Sequence, residues 1–199
     1  MFIQMVQGTC TREDEMHSLV DSWCATMSER PGWLGGTYGF TDDSRFVGVV
    51  RYDSETSCRE NCSREDAGAW WAQAEMLFDG APEIHQSEDV SMMLDGGSDD
   101  AGFVQVMRGR VLDADRFRHF NTDTEMTNML HQARPEIIGS TLLFEPDGTF
   151  TETISFTDEA TARVGEKQEM PAEMMTDWQS SIADVEYIDL HRPWFATHK

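Results

Sequence analysis

Apolar positions along this chain recur with two periods, and the two periods alternate in an order that occurs twice. Residues 2–7, "FIQMVQ", form a short apolar run that predicts a strand. Met16, Leu19, Val20, Trp23 and Met27 follow at i, i+3, i+4, i+7 and i+11, the spacing of one helix face. Thr11, with an acidic residue three positions later, reads as the N-cap of that helix. "ERPG" ends it, because the residue before a proline avoids the α region. Residues 33–40 and 46–52 predict two strands around the polar turn "TDDSR". A helical region over 54–78 and a strand over 83–88 complete the first half.

The second half repeats the order. Residues 103–108 predict a strand, and Asp113 caps a helix carrying Phe117, Phe120, Met129 and Leu130. Residues 137–144 and 150–156 form a hairpin around "EPDG". Helices over 158–164 and 171–182 and a strand over 185–191 close the pattern. The words repeat too. "FIQMVQG" from Phe2 returns as "FVQVMRG" from Phe103, and "RPGWLGGTYGF" from Arg30 returns as "RPEIIGSTLLF" from Arg134. The offset grows from 101 to 104, so three residues entered the second copy before Arg134, in the first helix or its flanking loops. Residues 95–102, "DGGSDDAG", have the composition of a polar linker. The domain reading is therefore repeat 1 over 1–94, the linker over 95–102, and repeat 2 over 103–199.

Strand–helix–strand–strand–helix–strand is the ferredoxin-like order, which places the chain in the α+β class. A sheet with helices on one side leaves its other face bare, here carrying Ile3, Met5, Val47 and Val49. A second copy of the sheet, supplied in the same chain, is the simplest cover. The expected architecture is two βαββαβ repeats in tandem with their sheets face to face, an intramolecular pseudo-dimer. The order of elements, "RPGWLGG" after the first helix and "AWW" in the last helix of the first half resemble the dimeric α/β barrel superfamily. Its antibiotic biosynthesis monooxygenase-like domains, in a tandem version, are the nearest pattern. The resemblance implies cofactor-independent oxidation of an aromatic or other apolar substrate, with no cofactor called for. It implies as alternatives a non-catalytic ligand-binding or stress-response module, and thirdly haem binding or degradation.

Candidate chemistry follows from residue type and position. Gln4 and Gln105 are equivalent amides on the first strand of each repeat, and Gln4 is a candidate catalytic group beside a pocket. Trp70, Trp71 and Arg51 could line that pocket, with Gln105 as a ligand-binding counterpart. Adjacent helix positions point about 100° apart, so at most one tryptophan of the pair faces a pocket squarely. Glu152 alternates with Phe150, Ile154 and Phe156, so the pleat puts a carboxylate on an apolar face. Burial there raises a pKa and suits a general base, which makes Glu152 the second catalytic candidate. Its first-half counterpart is Gly48, so one active pocket is expected rather than two. For haem degradation the resemblance requires a histidine several residues after Trp70, and "WAQAEMLFDG" supplies none before His85. Met174 and Met175 stand where the second copy would need the tryptophans.

Composition adds limits. The chain is 39% apolar, enough for a core. A net charge of −22 argues against nucleic acid or an anionic membrane as partner; the small apolar or aromatic ligand is what the resemblance implies. No stretch approaches the roughly 20 apolar residues of a membrane span. The start lacks the basic and apolar regions of a signal peptide, so the expected compartment is cytoplasmic. Cys10, Cys24, Cys58 and Cys62 read as reduced thiols; the last two are four apart on one helix face, without C-x-x-C spacing. His17, His85, His119, His131, His191 and His198 show no metal-motif spacing, so no metal is assigned. Pseudo-dimers could pair further as homodimers.

Overall fold

The structure, a computed structural model, describes residues 1–168 and 172–197, without the side chains of 172–174. His198, Pro171 and the side chain of Met174 lie outside the described residues. Two compact units divide the chain: residues 1–89 with 193–197, and residues 90–192. Each is an antiparallel five-stranded sheet carrying helices.

In the first unit β1 (Phe2–Thr9) leads into α1 (Glu13–Met27), then β2 (Trp33–Phe40) and β3 (Arg45–Tyr52). α2 (Glu55–Cys62), α3 (Glu65–Glu75) and β4 (Glu83–Ser87) follow. The apolar spacing of α1 faces the sheet as predicted, with Met16, Val20 and Met27 buried against Trp33, Phe46 and Phe78. Its start differs from expectation. The N-cap position is Arg12, with no side-chain cap, because Thr11 instead binds the Asp79 carboxylate through its backbone N–H and its hydroxyl, both at 2.9 Å.

The second unit opens with β5 (Val90–Met93), then β6 (Phe103–Val111), α4 (Ala114–Thr122), α5 (Thr124–Ala133), β7 (Ile137–Phe144) and β8 (Thr149–Phe156). α6 (Glu159–Gly165), α7 (Ala172–Ser181) and β9 (Ile182–Leu190) complete it. Asp113 caps α4 by accepting from the Arg116 N–H at 3.0 Å, as its sequence position predicts. The single helix expected over Phe117 to Leu130 is two helices. Asp123, at φ −77° and ψ 122°, ends α4 and caps α5 through the Met126 N–H. Phe117 packs edge-on against Phe150 at 4.7 Å and against Phe144 at 6.0 Å, forming the centre of this core.

The four strands of each repeat take the order β2-β3-β1-β4 and β7-β8-β6-β9. Each sheet gains a fifth, short strand that the sequence pattern did not predict. β10 (Trp194–Thr197) pairs with β2, and β5 pairs with β7. Residues 90–93, read as the end of repeat 1, therefore belong to the second sheet, and 194–197 to the first. The repeated glycine of the "RPGWLGG" and "RPEIIGS" words explains how these strands are received. A Cβ at Gly35 would sit 2.5 Å from the Ala196 carbonyl, and one at Gly139 would overlap the Gly96 carbonyl at 1.6 Å. The register shifts at Trp33/Gly35 and Ile137/Gly139 fall at these same positions. Ile3, Met5, Val47 and Val49, on the sheet face away from the helices, are all buried.

Candidate functional site

Each unit holds a cavity between its sheet and its helices. The second unit's cavity is the larger, at about 540 Å³. Phe117, Phe120, Met107, Ile154, Phe156 and Trp178 supply apolar wall. One fully buried carboxyl breaks that wall. Glu152 projects from β8 on the cavity face, as strand alternation predicts, and is 6% exposed. Burial pushes its pKa up, opposed in part by hydrogen bonds from Ser140 and Asn121.

Those partners form a chain with an unusual proton count. Ser140 Oγ lies 2.8 Å from Glu152 Oε1 and 2.9 Å from Asn121 Oδ1, and all three residues are buried. A hydroxyl donates one proton. If Ser140 donates to Asn121, the short contact to Glu152 needs a protonated carboxylic acid as donor. If Glu152 is ionised, Ser140 donates to it, and the Asn121 amide turns so that its NH₂ faces the hydroxyl. The cluster thus accommodates both protonation states of the carboxyl by rotating a hydroxyl and an amide, without moving the backbone.

The first repeat shows what stands in the cluster's place. Glu152, Ser140 and Leu142 correspond to Gly48, Gly36 and Tyr38 at the offset of 104, and Asn121 corresponds to Val20 at 101. The strand registers agree: Tyr38 opposes Gly48, and Leu142 opposes Glu152. In the first unit the Tyr38 ring occupies the space that the two glycines leave. A Cβ on Gly36 would lie 2.1 Å from the Tyr38 hydroxyl, and one on Gly48 3.1 Å from its ring. In the second unit a leucine replaces the phenol, and a valine and two glycines become asparagine, serine and glutamate that hydrogen-bond to one another.

At another edge of the second cavity, Gln105 Nε2 donates to Asp189 Oδ1 at 2.8 Å and to Glu166 Oε1 at 3.4 Å. Arg163 pairs with both carboxylates and lies over the Phe103 ring at 4.9 Å. Gln4 makes the equivalent cross-strand contact in the first unit, donating to Gln86 Oε1 at 3.0 Å.

The first unit's cavity is about 290 Å³ and is lined by Gln4, Trp70 and Trp71, together with Tyr38, Tyr52 and Cys62. Trp70 stacks on Trp23 at 5.1 Å and donates its indole N–H to the Leu19 carbonyl at 3.1 Å. The candidates read from sequence therefore do not converge on one pocket. Gln4, Trp70 and Trp71 line the first cavity, while Glu152 and Gln105 line the second. Arg51 lines neither. It shares the strand parity of Val47 and Val49, on the face away from the helices, and its Nη1 donates to Thr37 Oγ1 at 3.0 Å. Asn121, Ser140 and Tyr38 were not singled out from sequence; position-by-position comparison of the two copies is the signal that exposes them. Among the described residues, no histidine lines either cavity, and no cluster of three or more metal-ligating side chains occurs.

Comparison with solved structures yields full-length likenesses. A candidate monooxygenase from Lactobacillus acidophilus NCFM superposes with a TM-score of 0.73 at 13% identity, covering 99% of this chain and 96% of that one. A candidate monooxygenase from Fusobacterium nucleatum subsp. nucleatum gives 0.74 at 12% identity, covering 98% and 94%. An anthrone oxidase-like protein gives 0.70 at 9% identity, covering 99% and 93%. At these identities the likeness is one of fold: a tandem, ferredoxin-like α+β chain. No protein-family model matches the sequence, and no curated protein matches it.

Proposed function

We propose that the second unit binds a hydroxylated, electron-rich aromatic and that Glu152 removes its hydroxyl proton, committing it to oxidation by O₂. The observation that carries this reading is the Glu152–Ser140–Asn121 cluster, a buried acid set in the wall of an otherwise largely apolar 540 Å³ cavity. A volume in the range of roughly 300–1,000 Å³ is that of small-molecule sites. The names of the fold relatives, two candidate monooxygenases and one anthrone oxidase-like protein, point the same way. A module whose helices simply pack would have neither a cavity nor a buried acid facing it.

The chemistry needs only the substrate, O₂ and a proton carrier. Glu152 takes the phenolic proton, and the phenolate delivers an electron to O₂. Recombination forms a C–O bond at a ring carbon, and the resulting peroxide takes the proton from Glu152 to become a hydroperoxide. Glu152 then takes the ring C–H proton as the O–O bond breaks, and passes it to the departing hydroxide, yielding a quinone and water. A raised pKa strengthens Glu152 as a base once it is ionised, and general base catalysis of this kind contributes about 10²–10⁴-fold. We assign the Gln105–Arg163–Asp189–Glu166 cluster at the cavity edge the role of meeting a polar substituent. In the first unit, Gln4 and the tryptophans Trp70 and Trp71 are read as ligand-holding groups.

Anthrone under air is the test, with quinone appearance and oxygen uptake followed together. Wild-type protein is expected to accelerate both, and Glu152→Gln to lose at least about 10²-fold in rate while still binding anthrone. An unchanged rate in Glu152→Gln would remove the assignment.

A further inference from the structure

One thiol of the pair read from sequence lines the first unit's cavity, and the geometry of the pair decides between two uses. Cys58 and Cys62 stand one turn apart on α2 with their sulfurs 3.8 Å apart. A disulfide needs a Cβ separation of about 3.5–4.5 Å, whereas residues i and i+4 of a helix hold theirs about 5–6 Å apart. Closing the bond would bend the helix, so the pair is built for hydrogen bonding between sulfurs. Cys58 is buried, Cys62 is exposed, and only Cys62 lines the cavity. Either sulfur can donate to the other; when Cys62 is ionised, two donors reach its sulfur, the Cys58 thiol and the hydroxyl of buried Tyr52 from β3. The cavity beside it is largely aromatic, with Trp70 stacked on Trp23 and Trp71 next to Trp70 at 6.2 Å.

We propose that Cys62 is a nucleophile that captures a flat, electrophilic aromatic, a quinone, held in the first unit's cavity. A thiolate reached by two donors, at the edge of a cavity walled in part by aromatic rings, fits that ligand class. The sulfur lone pair forms a C–S bond to a ring carbon, and the ring double-bond pair moves onto a carbonyl oxygen. That oxygen takes a proton from solvent at the mouth. The ring C–H proton then passes through water to the second carbonyl oxygen as aromaticity returns, giving a hydroquinone thioether with no further oxidant or reductant. The site belongs to a different unit from Glu152, and its test is independent of the oxidation assigned there.

The Cys58 hydrogen bond is the main influence holding the Cys62 pKa down, to about 7, with Tyr52 assisting against burial. At pH 7 that leaves about half the sulfur as thiolate, against about 3% for an ordinary cysteine of pKa about 8.5. The roughly sixteenfold gain is cut about fivefold by the lower nucleophilicity of a less basic thiolate, leaving about threefold. Acceleration beyond that measures the cavity's hold on the ring.

The experiment uses 1,4-naphthoquinone with the full chain, intact mass and peptide mapping as readouts, and N-acetylcysteine as the reference thiol. The expected result is one adduct, on Cys62, formed more than threefold faster than the reference at pH 7 and slowed by 2-naphthol, a flat competitor that cannot react. Cys62→Ser should give no adduct. Cys58→Ala, which removes the donor, should move the pH midpoint of the rate upward, away from 7. An adduct on Cys10, Cys24 or Cys58, a rate no more than threefold above the reference, or indifference to 2-naphthol overturns the proposal.

Discussion

Replacing Ser140 with alanine tests the proton accounting of the buried cluster directly. The substitution removes one oxygen from a fully buried side chain and leaves Asn121 and Glu152 each one partner short. When Glu152 is neutral, the loss is that of a neutral hydrogen bond, about 0.5–1.5 kcal/mol. When Glu152 is ionised, a hydrogen bond to a charge is lost, about 1.5–3 kcal/mol. The sign of the pH dependence follows from burial. The folded carboxyl holds its proton more tightly than the unfolded one, whose pKa is about 4.3. Wild-type stability therefore falls as pH rises from the unfolded value towards the folded one and is flat above it. Ser140→Ala steepens that fall, because the lost bond was strongest to the ionised form. With about 2–4 °C per kcal/mol for a chain of this size, the variant should lose about 1–6 °C in Tm in the limit of a neutral carboxyl and about 3–12 °C in the limit of an ionised one, so more at pH 8.5 than at pH 5.5. Both pH values are clear of the pI of 4.4, where solubility is lowest. Thermal unfolding followed by circular dichroism at the two pH values is the assay. An equal loss at both, or a larger loss at pH 5.5, would refute the idea that Ser140 supports an ionisable Glu152.

Three further outcomes follow from the same structure. Glu152→Gln should flatten the wild-type decline in stability between pH 5.5 and 8.5, measured by urea midpoints, because the variant has no buried carboxyl to ionise. Phe117→Ala should cost about 3–5 kcal/mol by the same measurement, since the ring is 1% exposed and sits between Phe144 and Phe150. Gly36→Ala should cost about 1–3 kcal/mol, because the new methyl meets the Tyr38 hydroxyl at 2.1 Å, and adding Tyr38→Leu should recover most of it. A double-mutant cycle reads that coupling, and strictly additive losses would contradict the glycine–tyrosine exchange between the copies.

Much of the fold was written in periodicity, and what escaped did so for physical reasons. β2 and β7 begin and end at the predicted residues because their apolar runs are long and bounded by Pro-containing words and polar turns. β5 and β10 are four residues each, too short for alternation to rise above background, and their partners lie far away in sequence. The break at Asp123 left no trace in the apolar spacing, because Phe117, Phe120 and Leu130 all still face the second unit's cavity. Glu152 was legible from parity alone. Arg51 was legible as an outsider by the same parity, since Val50 and Tyr52 on either side of it face the cavity. Ser140 and Asn121 looked like ordinary polar residues until set against Gly36 and Val20. Cavity volume is written in no single position, being the remainder left after every side chain has been placed.

The two short strands bear on how this chain could ever be taken apart. A fragment ending at residue 102 would carry β5, which completes the sheet it lacks, and would lack β10, which completes the sheet it has. A fragment starting at residue 103 has the reverse deficit. Each piece alone would leave the edge of β2 or β7 as a row of unpaired amides and carbonyls, a template for recruiting any spare strand. Made together, each piece holds the strand the other is missing. The gene is thus divisible only as a mutual exchange, and a protease cut near residue 100 would leave a nicked molecule whose halves still need each other to close their sheets.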